Sequence, residues 1–263
     1  MKTGFIGCGN MGSAIASALC QDSRYEVSVY STGKGASEFV KTHNNAFLRT
    51  SLEQLVQNSD VIILAVKPQV LPSLYQSLRH YGEAKKWISL AAGVSLKTLS
   101  EQLGSGNIVR FMPNVAAKIN SSVTAVAAGE KADKEFSDQA FEIASSFGSA
   151  FFLEEKLFSS FIGLSASAIA YIFQFIHALA LGGCKEGIAY GKAVEMACDT
   201  MKGAVDLVQK TGKNPVDLEA SVCSAGGTTV EGVKVLEEAG FNGTVMDAVF
   251  AAAKKAREME NGR

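Results

Sequence analysis

Residues 3–12 read TGFIGCGNMG and decide the fold. A short β-branched and aromatic run stops at Gly7, and small residues then continue to Cys20 in a pattern typical of a helix. The glycines have the GxGxxG spacing, which is informative when a strand precedes it and a helix follows it. Gly7 allows a tight turn, Gly9 a close approach of the backbone to a pyrophosphate, and Gly12 close packing of helix and strand. Because a helix N-terminus also attracts phosphate, we predict a dinucleotide site rather than a ligand-free glycine turn.

Strands alternate with helices over the first 153 residues. The run DVIILAVKP at 60–68 is continuous, apolar and closed by proline, as expected for a strand buried in a parallel sheet. Alternating elements of this kind indicate βαβ units, with helices covering both faces of the sheet. The other predicted strands lie at 3–6, 26–30, 87–93, 107–114, 121–129 and 149–153, and helices at 10–20, 35–43, 51–58 and 133–146.

Beyond about residue 154 the sequence favours helices alone. The predicted helices cover 155–183, 191–211, 215–222, 227–239 and 243–260, mostly separated by glycine or proline. The predicted fold class is therefore α/β, with a Rossmann-type NAD(P)-binding domain at 1–153 followed by an all-α domain at 154–263.

The composition argues against several functional classes. The 263 residues are 47% hydrophobic and 19% charged, and 25 basic against 26 acidic residues give a net charge of −1. Nucleic-acid binding is not expected at such a charge balance. The five cysteines are widely spaced without a CxxC pair, so neither disulfides nor a metal site is expected, and MKTGFIG does not resemble a signal peptide. We therefore predict a cytoplasmic protein.

One segment, Leu157 to Cys184, contains 28 residues without a formal charge. A span of this length is a candidate transmembrane helix. It nevertheless contains serines, Gln174 and His177, and its flanks lack an aromatic belt or a cluster of Lys and Arg. A helix buried on most faces in an oligomer shows the same apolarity, so we favour a subunit interface over a membrane.

The end of the second predicted strand bears on the choice of cofactor. NAD enzymes usually have an acidic residue there for the ribose 2′-hydroxyl. This chain has Ser31, Thr32 and Lys34 instead, which offer two hydroxyls and a positive charge to a 2′-phosphate. The pattern favours NADP(H) over NAD(H); the alternative is an ordinary polar turn with a solvated Lys34.

Further candidate contacts lie at the carboxyl ends of later strands, where open α/β sheets bind ligands. Lys67 would line the cofactor or else extend into solvent. Ala92 and Gly93 lack bulk and would let a cofactor approach, and Asn114 would bond the carboxamide or the substrate. The predicted cofactor contacts at these strand ends are Ala65, Val66, Lys67, Pro68, Ala92, Gly93 and Asn114.

A second glycine motif, SAGGTT at 224–229, precedes a helical stretch. Two glycines followed by hydroxyl residues at a helix start can form an anion nest suited to a small carboxylate. Thr228 or Thr229 would instead cap the following helix in a purely structural interpretation. The spacing of these residues alone does not distinguish an anion nest from a helix cap.

The remaining motifs of common enzymes are absent from the sequence. There is no GxSxG, no Walker lysine and no paired-carboxylate motif, and the three histidines are scattered. Hydride transfer to an electrophilic carbon fits such a chain, because the cofactor supplies the chemistry and the protein supplies position.

The motifs GFIGCGNMGSAI, AVKP, AAGVS, RFMPN, EEKLF…GLSASAIAY and SAGGTT…LEEAGF resemble, in order and spacing, those of pyrroline-5-carboxylate reductases over essentially the whole chain. That family reduces the cyclic imine 1-pyrroline-5-carboxylate to L-proline, the last step of proline biosynthesis, with NADPH or NADH. Its helical domain dimerises, often within decamers. The resemblance implies an oxidoreductase that takes a small imino-acid substrate and forms a homodimer or larger homo-oligomer. The residues after the second strand favour NADPH as its cofactor, and the charge balance and the polar residues of the uncharged run disfavour nucleic-acid and membrane partners.

The resemblance also assigns residues. It places Thr229 at the ring nitrogen, as the predicted catalytic residue, and Glu155 near the substrate. Gly226, Gly227 and Thr228 would join Thr229 around the substrate carboxylate. The cofactor contacts implied are Ile6, Gly7, Cys8, Gly9, Asn10, Met11, Ser31, Thr32, Lys67 and Ala92, beside the motif residue Gly12.

Three segments depart from the family pattern. Val115 and Ala116 replace Thr-Pro, Ala225 replaces a proline, and residues 166–169 replace two glycines and a proline. Alanines at 166 and 168 are expected to favour one continuous helix. The alternatives therefore include a reductase of a related imine or keto acid and a non-catalytic NADP-binding regulator. A β-hydroxyacid dehydrogenase is disfavoured, because it would need a lysine within 157–184.

Overall fold

The computed structural model describes residues 1–260 and 262. The chain forms two compact units: Met1–Ser167 together with the residues from Ala251 onward, here the sheet unit, and Ala168–Phe250, here the helical unit. The proposed division into domains at 1–153 and 154–263 stays a prediction.

The sheet unit contains one eight-stranded sheet in the order β3-β2-β1-β4-β5-β6-β7-β8. The first six strands are parallel and have the strand order of dinucleotide-binding folds, which confirms the predicted Rossmann-type class. The strands are β1 (Lys2–Ile6), β2 (Glu26–Tyr30), β3 (Ala46–Leu48), β4 (Val61–Leu64), β5 (Lys86–Ser89), β6 (Ile108–Met112), β7 (Ser122–Ala128) and β8 (Gly148–Phe152).

The sheet differs from the prediction in two places. Strand β3 is an edge strand of three residues, too short to show a periodic pattern. Strand β7 runs antiparallel to β6, so the sheet is not parallel throughout. The physical reason is the connection: only the short 3₁₀ segment Val115–Ile119 joins the two strands, whereas a parallel pair needs a crossover of a dozen or more residues.

Helices cover both faces of the sheet, as the alternation predicts. Phe5 and Ile63 belong to the buried cluster on one face, and Ile62 and Trp87 to the cluster on the other. The helices of this part are α1 (Asn10–Cys20), α2 (Gly35–Thr42), α3 (Leu52–Gln57), α4 (Leu71–Arg79), α5 (Leu96–Leu103) and α6 (Lys134–Ser145).

The first predicted helix of the C-terminal half, 155–183, is interrupted. A 3₁₀ turn (Glu155–Leu157) and α7 (Phe158–Phe161) precede a π-helical turn (Ile162–Ala166), where the Ser167 N–H donates to the Ile162 carbonyl over 2.8 Å. The predicted helix is therefore present over this range, but it is not a regular α-helix, because propensity differences of about 1 kcal/mol are overridden by tertiary structure. The helices that follow are α8 (Ala168–Lys185), α9 (Tyr190–Thr211), α10 (Pro215–Val222), α11 (Thr228–Glu238) and α12 (Phe241–Glu260).

The segment Glu155–Lys185 is long and apolar enough to cross a membrane, with a mean hydropathy of 1.7 in its most apolar window. Length and composition alone give this result, and one such helix is weak evidence for a span. Only 6% of that window is buried within the chain, and Phe173 and Leu181 are among its exposed apolar residues. The single chain therefore leaves an apolar surface uncovered.

Candidate active site

The glycine turn between β1 and α1 is built by close backbone approaches. Gly7 has a φ of 102°, and its N–H donates to the Tyr30 carbonyl over 2.8 Å. A Cβ on Gly7 would lie 2.9 Å from the Ala65 carbonyl group, and one on Gly12 would lie 2.5 Å from the Gly7 oxygen. Both positions therefore require glycine, which fixes helix α1 directly above the ends of β1 and β4.

Gly9 is constrained by nothing in the chain itself. It is the N-cap residue of α1, and no heavy atom of another described residue lies within 4 Å of the place where its Cβ would be. It also has no side chain to accept from the first N–H groups of the helix. Free N–H groups, a helix dipole and open space fit a pyrophosphate. Asn10 and Met11 begin the helix at the same place.

Cys8, the second residue of the turn, remains a neutral thiol. It is buried, and this burial raises its pKa to about 11. A neutral side chain adds no negative charge that would repel a phosphate. Its carbonyl oxygen would lie 2.6 Å from a Cβ on Gly35, so the start of α2 also packs closely on this turn.

The turn after β2 carries the residues expected to select the cofactor. Ser31 accepts the Gly33 N–H through its Oγ over 3.3 Å, which holds the turn. Thr32 and Lys34 are exposed. The parallel register of β1 with β2 brings this turn to the same edge of the sheet as Gly7.

The ends of β4 and β5 lie at that edge as well. The Ala65 N–H donates to the Ile6 carbonyl over 2.9 Å, which ties the two turns together. Lys67 is exposed and precedes the 3₁₀ turn that begins at Pro68. Gly93, after β5, has a φ of 73°. The structure thus gathers at one edge the predicted residues Ile6, Gly7, Cys8, Gly9, Asn10, Met11, Gly12, Ser31, Thr32, Lys34, Ala65, Val66, Lys67, Pro68, Ala92 and Gly93.

Asn114 already has partners in the chain. Its Oδ1 accepts the Ala116 N–H over 3.1 Å, and its Nδ2 donates to Ser165 Oγ over 3.4 Å. The residue is 4% exposed and caps the 3₁₀ segment after β6. These bonds connect it to the π-helical turn, and its contact with a cofactor stays a prediction.

Glu155, predicted to lie near the substrate, belongs to a charged cluster in the sheet unit. Its Oε1 accepts from Arg110 Nη1 and from the Leu96 N–H, both over 2.7 Å. Arg110 Nη2 donates to Glu260 Oε1 over 2.7 Å. Sequence reasoning missed Arg110 and Glu260, and the role assigned to Glu155 stays a prediction.

The predicted anion nest lies in the helical unit. Gly226 has a φ of 69°, and Gly227 is the N-cap of α11, with its N–H donating to the Ser224 carbonyl over 3.0 Å. Thr228 and Thr229 are the first two residues of the helix and are exposed. Since a glycine holds the cap position, neither threonine is the N-cap, and the first N–H groups of α11 have no side chain of the cap residue to satisfy them.

Curated relatives match the chain over nearly its whole length. Pyrroline-5-carboxylate reductase of Aquifex aeolicus is 35% identical over 98% of this chain and 97% of its own. The enzyme of the same name from Methanosarcina acetivorans is 38% identical, with the same coverage of each chain. The chain belongs to the pyrroline-5-carboxylate reductase family.

Models of protein families and solved structures agree with membership of the pyrroline-5-carboxylate reductase family. A model described as pyrroline-5-carboxylate reductase dimerisation matches residues 155–259, and one described as NADP oxidoreductase, coenzyme F420-dependent, matches residues 2–93. The reductase of Streptococcus pyogenes has a TM-score of 0.87 and 33% identity, covering 98% of both chains. The Plasmodium falciparum pyrroline carboxylate reductase, solved with NADP bound, has a TM-score of 0.89 and 28% identity, covering 99% of this chain and 98% of its own.

Proposed function

We propose that this chain reduces 1-pyrroline-5-carboxylate to L-proline with NADPH. The observation that carries the proposal is the presence, in a member of this family, of two helix N-termini that each follow a glycine turn and have a glycine as cap residue. One, at Gly9 of α1, fits the pyrophosphate of a dinucleotide, and the other, at Gly227 of α11, fits a small carboxylate.

In this proposal the cofactor binds at the edge of the sheet where the parallel strands end. The N–H groups at the start of α1 would bind the pyrophosphate, with Gly9 leaving the necessary space. Ser31, Thr32 and Lys34 would bind the 2′-phosphate, so that NADPH is preferred to NADH. The bound nicotinamide supplies a hydride to the imine carbon.

In this proposal the substrate binds at the anion nest formed by residues 226–229. The backbone N–H groups would hold the carboxylate, and the Thr229 hydroxyl would orient the ring nitrogen. The iminium form is the better hydride acceptor, and one proton from water ends on the nitrogen of the product. One imine, one hydride and one proton therefore give proline, so the chain needs no strongly acidic side chain for this step.

We also propose that the active form is at least a homodimer in the cytoplasm. Its interface would be formed by the helical unit, where Phe173 is 63% exposed and Phe250 is 60% exposed in the single chain. The family match to a dimerisation domain over 155–259 supports this choice. A second copy would cover the apolar face of α8, which otherwise lies in water. The size of the assembly, up to a decamer, would be measured by sedimentation of the purified chain.

The test is NADPH oxidation with 1-pyrroline-5-carboxylate, followed by loss of NADPH absorbance, against a panel of 2- and 3-keto acids. We expect turnover of the imine and formation of proline in equal amounts with NADP⁺. Turnover of a keto acid alone would replace the proposed substrate. NADPH binding without any turnover would instead indicate a regulatory protein.

A further inference from the structure

Arg110 on β6 is a fully buried cation held between two carboxylates. It is 0% exposed, and its two terminal nitrogens bind Glu155 Oε1 and Glu260 Oε1, both at 2.7 Å. Its guanidinium carbon lies 5.0 Å from the centre of the Phe158 ring. Charge-assisted bonds of this kind fix the geometry of both carboxylates, and Arg110 is the single cation that both of them share.

Glu155 connects this cluster directly to the turn between β5 and α5, and Glu260 does so through Arg110. The Glu155 Oε1 atom also accepts the N–H of Leu96, the first residue of α5, over 2.7 Å. Met259, the neighbour of Glu260, has its carbonyl oxygen 3.5 Å from the position of a Cβ on Gly93. The end of the turn is thus held by a hydrogen bond, and the backbone at the end of α12 lies near its middle, with room left for no more than a Cβ in ordinary van der Waals contact.

The C-terminal end of α12 also forms a hydrogen bond with α7. The second carboxylate oxygen of Glu260, Oε2, accepts from the Ser159 hydroxyl over 3.1 Å. Since Ser159 belongs to α7, the last helical residues join β6, α7 and the β5–α5 turn into one arrangement. All of these contacts lie within the sheet unit.

We infer that Arg110, Glu155 and Glu260 are positioning residues that hold the Ala92–Gly93 turn in the shape needed for NADPH binding. The inference rests on the proposed function only in assigning that turn to the cofactor. It gives the C-terminal end of the chain a role in cofactor affinity. It also gives Glu155 a task other than substrate contact, since its Oε1 already accepts two hydrogen bonds.

The test compares Glu260→Gln with Glu258→Gln in the full-length protein. Glu258 lies on the same helix but pairs with Lys255 at 3.6 Å on an exposed face, so its variant is the matched control. We expect Glu260→Gln to weaken NADPH binding about tenfold, the loss of one charge-assisted hydrogen bond. The KM for the imine should stay near that of the wild type. The control should bind NADPH as the wild type does.

Binding is measured by calorimetry with NADPH alone, so the result does not depend on turnover. A wild type that binds NADPH but reduces no imine contradicts the proposed function and leaves this inference testable. A Glu260→Gln variant that melts at a lower temperature yet binds NADPH with the wild-type dissociation constant would overturn the inference, since the cluster would then be merely structural.

Two further variants keep the test decisive. If Glu260→Gln does not fold, Ser159→Ala removes only the hydroxyl bond to Glu260, and we expect NADPH binding to weaken about two- to threefold. Unchanged binding in Ser159→Ala would then count against the inference. Because Glu155 and Glu260 act through Arg110, their double glutamine variant should lose less affinity than the product of the two single losses. Fully multiplicative losses would show that the two carboxylates act independently.

Discussion

Alanine substitutions at Gly12 and Gly9 should separate the packing role of the glycine turn from its binding role. In Gly12→Ala the new Cβ would lie 2.5 Å from the Gly7 oxygen, and the clashing atom belongs to the backbone. Helix α1 must therefore move away from β1 by about 1 Å to restore an ordinary contact. Overpacking of this kind costs about 1–3 kcal/mol, whereas alanine returns at most about 1 kcal/mol of helix propensity.

Because the clash is with backbone, its cost lies in the upper part of that range, about 2–3 kcal/mol, which leaves a net loss of about 1–2 kcal/mol for Gly12→Ala and a fall in Tm of about 2–8 °C for a domain of this size. Gly9→Ala behaves differently, because its backbone is extended (φ −84°, ψ −168°) and the Cβ meets no described neighbour within 4 Å. We expect its stability without cofactor to change by less than about 1 kcal/mol. Its dissociation constant for NADPH should rise at least about tenfold, because the methyl group occupies the space of the pyrophosphate.

The assay is thermal unfolding without cofactor, followed by calorimetric titration with NADPH, on both variants and the wild type. Wild-type stability in Gly12→Ala would refute the argument that helix and strand pack too closely for a side chain. Wild-type NADPH affinity in Gly9→Ala would show that the phosphates do not bind at the start of α1.

Three other variants test separate parts of the proposal. Thr229→Val should lower kcat/KM for the imine about tenfold or more with NADPH affinity unchanged, and an unchanged rate would remove Thr229 from the mechanism. Lys34→Glu should lower the ratio of kcat/KM for NADPH to that for NADH about three- to tenfold, whereas a constant ratio would leave Lys34 a solvated side chain. Phe173→Glu should shift sedimentation toward the monomer, while Leu48→Glu, an exposed apolar position on β3, should not; equal effects would contradict an interface on α8.

The geometry of the glycine turn proposed to bind the cofactor could be predicted because its signal is local. Gly7, Gly9 and Gly12 lie within six positions of each other; close contacts within the turn require glycine at positions 7 and 12, while Gly9 faces open space. The strand ends that join them follow from the parallel register, which the continuous apolar run at 60–68 already implies.

The Arg110 cluster could not be predicted, because its partners are distant in sequence. Arg110 lies 45 positions from Glu155 and 150 positions from Glu260. No periodic pattern connects residues so far apart, and an arginine inside an apolar strand gives no indication of its partners. The π-helical turn was missed for a related reason. Propensity favours a regular α-helix through Ala166, and only the tertiary fold imposes the one additional residue that a π-helical turn contains.

The helical unit shows why the uncharged run of α8 could not be interpreted from periodicity. Within the single chain, Ala180 is the buried residue of α8, Ala193 and Ala197 are those of α9, and α10 and α11 have none. Burial of apolar surface is the main favourable term in folding, so helices that bury so little among themselves must obtain their stability from another surface. A membrane helix and an interface helix satisfy this requirement with the same all-round apolarity. Sequence separates them only through the polar residues that interrupt the run, and those residues favour a second copy of the chain.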